Sequence, residues 1–95
     1  MRLIIATSST AVPAKNALTA FLEAKGWAVW HWFEDLWLID NVPNGVSLPV
    51  LRDEIRRAIP TISNVLIIAA EGPSDHAGVV PTPSAQWFIE HWGRQ

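Results

Sequence analysis

The sequence has no cysteine, little basic charge and no long apolar run. Without cysteine it can build neither a disulfide framework nor a thiolate metal site. Its longest uncharged apolar stretch runs from Val65 to Ala70, far below the roughly 20 residues that span a bilayer. A membrane protein is therefore not expected. Met1 leads straight into Arg2-Leu3-Ile4-Ile5-Ala6, which lacks the charged segment and long apolar core of a secretory signal. The reading is a cytoplasmic chain. Seven Lys and Arg stand against nine Asp and Glu, a formal net charge of −2, so no global field draws in a polyanion.

What the sequence does have is tryptophan: six in 95 residues, four of them between Trp27 and Trp37. A chain of this length fits one core, since domains most often run to about 100–150 residues. Residues 1–95 are read as a single domain, with a core over 1–72 and a loop and C-terminal segment over 73–95. A small domain buries a limited share of its apolar surface, so self-association is expected.

Arg2 to Ala6 is a short aliphatic run that suits a strand buried on both faces, closed by the hydroxyls of Thr7-Ser8-Ser9-Thr10. Pro13 suits a first helical turn, and Leu18, Phe21, Leu22 and Lys25 recur at helical spacing. This predicts a helix over 12–25, with Gly26 in the left-handed position that follows a helix end. From Trp27 to Asp40 the residues turn aromatic and β-branched, which predicts a hairpin. Its strands are Trp27 to Phe33 and Leu36 to Asp40, turning at Glu34-Asp35. Alternation places Val29, His31 and Phe33 on one face and Trp30 and Trp32 on the other.

Turn residues fill Asn41 to Gly45, and Ser47 is a good cap for a helix over 48–59 whose Leu48, Leu51, Ile55, Ala58 and Ile59 form an apolar stripe. Leu18, Phe21 and Leu22 should pack with Leu51, Ile55 and Ile59 on the first and last strands. Asn64 to Ala70 predicts a fourth strand, again as a continuous apolar run. Pro73 to Pro83 reads as an irregular surface loop, and Ser84 as the cap of a short helix carrying Phe88 and Trp92. The order strand, helix, hairpin, helix, strand is the ferredoxin-like βαββαβ unit: an α+β fold with a four-stranded antiparallel sheet, two helices on one face and a C-terminal extension.

The residues Arg2-Leu3-Ile4-Ile5, Asp35-Leu36-Trp37-Leu38-Ile39, Leu51-Arg52-Asp53-Glu54-Ile55-Arg56-Arg57 and Asn64-Val65-Leu66-Ile67-Ile68 resemble the SinR-like proteins. These are relatives of the small ferredoxin-like subunit of the CRISPR adaptation complex. The resemblance implies a homodimer associated with metal-dependent nuclease activity or nucleic-acid scaffolding. The activity of that family depends on an aspartate at the end of the first strand, where this chain has Ala6-Thr7-Ser8-Ser9. A hard divalent cation normally requires a carboxylate ligand, so the family's metal site is not expected to form.

The remaining candidates favour structural roles. Glu34 and Asp35 are adjacent and read as turn polarity. Asp75 and His76 in the Pro-rich loop lack a nucleophile and an orienting group. His31, His76 and His91 match no zinc spacing, and His31 reads as a hydrogen-bonded, half-buried side chain. Arg52, Arg56 and Arg57 offer a basic edge for nucleic-acid contact, but interleaved Asp53 and Glu54 favour a solvated, salt-bridged face. No cofactor and no metal is expected. The Trp cluster has no Lys or Arg between Trp27 and Asp40, which favours packing or a protein contact over base stacking. The expected interface comprises Trp30, Trp32, Trp87, Phe88 and Trp92. The functional expectation is a non-catalytic homodimeric binding module. The alternatives are a metal-dependent endonuclease acting on RNA or DNA, and a nucleic-acid-binding protein without cleavage.

Overall fold

A computed structural model describes residues 1–8, 10–70 and 80–92. Among these residues four strands and three helices follow in the order β1 (Leu3–Thr7), α1 (Val12–Glu23), β2 (Ala28–Trp30), β3 (Leu36–Asp40), α2 (Leu48–Ala58), β4 (Val65–Ala69) and α3 (Thr82–His91). The strands form one antiparallel sheet in the order β2-β3-β1-β4. The architecture is α+β.

Local chemistry explains most boundaries. Pro13 occupies the first turn of α1, where a missing N–H costs nothing. Gly26 follows the helix at φ +81°, a backbone region that a side chain disfavours. Ser47 caps α2 by accepting a hydrogen bond from the Val50 N–H. Arg56 and Arg57 sit in the last turn of α2, beside its orphan carbonyls.

The alternation of the central strands divides the protein into two apolar clusters. Leu3 and Ile5 of β1 and Trp37 and Ile39 of β3 join Leu18 and Leu22 of α1 and Leu51 and Ile55 of α2. Ile59 and Ile62 close this main core, with Phe21, Val65 and Ile67 partly buried against it. The expected pairing of helix stripes is therefore present. The second cluster lies on the opposite sheet face. It contains Trp30, Leu38 and Trp92, with Ile4, Ala70, Trp87 and Phe88 against them. That face is not bare, because α3 folds over its β2–β3 side.

Three expectations need correction. The second strand spans Ala28–Trp30 and not Trp27 to Phe33. At His31 the ladder gives way to the hairpin turn, where its Nε2 donates to the Glu34 carbonyl at 2.9 Å while its ring still stacks on Trp37, the residue next in register across the hairpin. The ladder therefore stops at Trp30: His31 keeps to the side of Val29, against Trp37 of the main core, whereas Phe33 meets Trp30 of the second cluster and Trp32 is exposed. Ser84 does not cap the last helix; it lies inside α3 and is buried, while Pro81 precedes the first turn and Pro83 occupies it. The expected loop from Pro73 to Pro83 lies mostly outside the described residues, and its last two residues, Thr82 and Pro83, already belong to α3. No helix among the described residues is long and apolar enough to cross a membrane.

Candidate functional site

Four of the five aromatic residues expected at an interface gather on the second sheet face, and the five are exposed very unequally. Trp30 and Trp92 are each only 5% exposed, inside the chain's own second cluster. Trp87 and Phe88 are half-buried. Trp32 is 59% exposed, the one residue of the five that stands out in solvent. Trp30 meets Phe88 at 5.2 Å between ring centres and the edge of Phe33 at 5.4 Å. Trp87 stands edge-on to Phe88 at 5.7 Å and tilts against Trp92 at 6.1 Å. Such contacts suit the ring quadrupoles. The guanidinium of Arg2 lies over the Trp92 ring and donates to the Trp92 carbonyl. At the same end His91 pairs with Asp40 at 3.0 Å.

Beyond α3 no other described element covers the same face. Ile4 of β1 pairs with both Leu38 and Ile68, and Ala6 pairs with Leu66. Directly paired residues share a sheet face, so Leu66 and Ile68 extend the second cluster outward. They are 59% and 47% exposed. One face of β4 reaches the main core and the other reaches solvent. A continuous apolar run carries no mark of which face is left uncovered, so the sequence offered no signal for it.

At the turn end of the hairpin, Glu34 and Asp35 diverge. Glu34 pairs with Lys15 at 3.1 Å, and the Lys15 side chain is largely buried beside an exposed partner. Asp35 accepts a 2.9 Å hydrogen bond from the Thr7 hydroxyl at the end of β1, and Thr10 donates onward to Thr7 at 2.7 Å. The Thr7 bond, followed by the Thr10 contacts and the Lys15 charge, holds the Asp35 carboxyl below its ordinary value. A lowered folded-state value means that the ionised carboxylate favours the fold above the unfolded-state value. The benefit disappears as pH falls through the lowered one. Thr7→Val is therefore expected to move the Asp35 titration upward, toward its ordinary value, in a carboxyl-detected NMR titration. An unchanged midpoint would show that the Thr7 bond does not carry the shift.

The other candidates have ordinary surroundings. His31 stacks on Trp37 at 4.1 Å and meets Thr19 Oγ1 at 3.3 Å, as expected for a half-buried, hydrogen-bonded histidine. His91 has Asp40 and Trp87 as neighbours, so it shares no partner with His31. His76 and Asp75 lie outside the described residues. Among the described residues no three His, Asp or Glu side chains stand together as a metal site. Arg52 pairs with Asp53 at 3.0 Å, and the Arg52 hydrogen bond keeps the Asp53 carboxyl below its ordinary value. Arg56 and Arg57 are exposed and border a shallow depression with Asp53, Pro60, Ile62 and Ser63. This is the mixed-charge helix face that the sequence pattern favours. No family model, no curated protein and no solved structure matches the chain.

Proposed function

We propose that the chain is a ferredoxin-like homodimeric binding module without catalytic activity, a divergent relative of the SinR-like proteins. The element order and the sheet order β2-β3-β1-β4 support the fold name, because each helix α1 and α2 joins two strands that flank a third. The observation that carries the functional reading is the open apolar strip of the second sheet face. Leu66 and Ile68 stand in solvent next to a cluster that α3 has already covered elsewhere. Contiguous exposed apolar surface marks an interaction site, and a small domain gains stability by covering it. The molecular mass in solution tests the reading: it requires twice the 10.5 kDa mass of the chain.

One observation favours a second reading, a metal-dependent endonuclease. The hairpin brings the Asp35 carboxylate to the end of β1, where the resemblance places an aspartate. Cleavage of labelled RNA or DNA with Mg²⁺ or Mn²⁺ that disappears in Asp35→Ala would establish it in place of the binding module. Binding without cleavage that weakens in Arg56→Ala and falls steeply with salt would identify a nucleic-acid-binding protein instead.

A further inference from the structure

Among the described residues, the backbone of β4 has one satisfied edge and one open edge. The Ala70 N–H donates to the Arg2 carbonyl at 2.9 Å, and the β1–β4 register continues as Ile4↔Ile68 and Ala6↔Leu66. In an antiparallel ladder, hydrogen-bonded pairs alternate with non-bonded ones. The even-numbered residues of β4 therefore face β1, and the N–H and C=O groups of Val65, Ile67 and Ala69 point away from the sheet. Among the described residues β4 pairs with β1 alone.

Natural sheets protect such edges with charge, proline, bulges or very short strands. The opposite edge strand, β2, has three residues. β4 has five, Val-Leu-Ile-Ile-Ala, and no charged residue or proline lies between Ser63 and Ala70. Nothing in β4 discourages pairing.

We propose that β4 pairs antiparallel with β4 of a second copy of this chain, centred on Ile67, to form one continuous eight-stranded sheet. The proposal rests on the homodimer reading and names its interface. An antiparallel pair of identical strands is two-fold symmetric and closes as a dimer. The Ile67-centred register uses all outward groups: Ile67 exchanges both bonds with the partner's Ile67, and Val65 does so with the partner's Ala69. It sets Leu66 against the partner's Ile68 as a non-bonded pair, twice, on the exposed face. The closer approach of such pairs suits apolar contact. An uncharged edge favours a second copy, because two identical edges meet without like-charge repulsion. A groove lined by Leu48, Pro49, Arg52, Val65, Leu66 and Ile67 runs beside the same edge. Its α2 surface adds to the strand contact, and a stable dimer needs about 800 Å² per partner.

Two double variants test the pairing, and both change only exposed side chains. Leu66→Lys with Ile68→Lys opposes like charges at both cross-strand pairs. Leu66→Lys with Ile68→Glu opposes unlike charges at both, with the same number of polar substitutions. The expected result, from sedimentation equilibrium with circular dichroism confirming both folds, is a dimer dissociation constant at least about tenfold weaker for the first variant than for the second. Two variants that dimerise equally well leave the homodimer reading standing and remove β4 as its interface. Two monomeric variants of a dimeric wild type overturn the register and the pairing with it. A monomeric wild type removes the homodimer reading itself.

Discussion

Trp37→Ala is expected to lower the unfolding free energy by about 3–5 kcal/mol, the range for removing a large aromatic from a core. A domain of this class has only about 5–15 kcal/mol in total. Trp37 is fully buried at the centre of the main core, where β3 meets α1. Its indole N–H donates to Thr19 Oγ1 at 3.0 Å, and His31 stacks on its ring. Truncation leaves a cavity that neighbours on a sheet and two helices fill poorly, and it removes the surface that holds His31 in place. Urea denaturation should show a midpoint well below that of the wild type. An unmoved midpoint would mean that β3 does not present this face to the helices.

Trp92→Ala should cost a comparable amount, about 3–5 kcal/mol, through a different cluster. Trp92 ends α3 and shares the second cluster with Trp30 and Leu38. Helix α3 begins without a side-chain cap, so packing holds it on the sheet. Losing the Trp92 ring should loosen α3 and expose Trp30. Trp32→Ala is the contrasting substitution. Its side chain stands in solvent, so folding stability should change by no more than about 0.5 kcal/mol. Equal losses in the two variants would show that α3 does not dock by Trp92.

The sequence already displayed the elements whose signals are local. Gly26 after an amphipathic stretch, Ser47 before one and the apolar spacing of Leu51 and Ile55 depend on nearest neighbours. They placed α1 and α2 within two residues of their ends. β2 ends earlier than its aromatic run suggests because its end depends on a contact inside the folded hairpin that composition does not display. There the His31 ring donates to the Glu34 carbonyl, although it still stacks on Trp37 across the hairpin. Once that strand breaks, the alternation that grouped Trp30 with Trp32 no longer applies, and one ring is buried while the other is exposed.

The candidate site was less legible for a related reason. Composition pointed to tryptophan as the surface feature, yet tertiary packing by α3 buries two of the five expected interface residues within the chain itself. The exposed strip falls on Leu66 and Ile68 of β4, residues that look like core in sequence. Which face of an apolar strand stays open depends on how far a helix at the end of the chain reaches across the sheet. No spacing rule encodes that reach.

Sedimentation equilibrium of the unmodified chain at micromolar concentration tests the central claim most directly. The homodimer reading predicts a species of twice the 10.5 kDa chain mass, dissociating on dilution to the single-chain mass. A lone 10.5 kDa species throughout that range would contradict it, leaving the open face of β4 without a second copy to cover it.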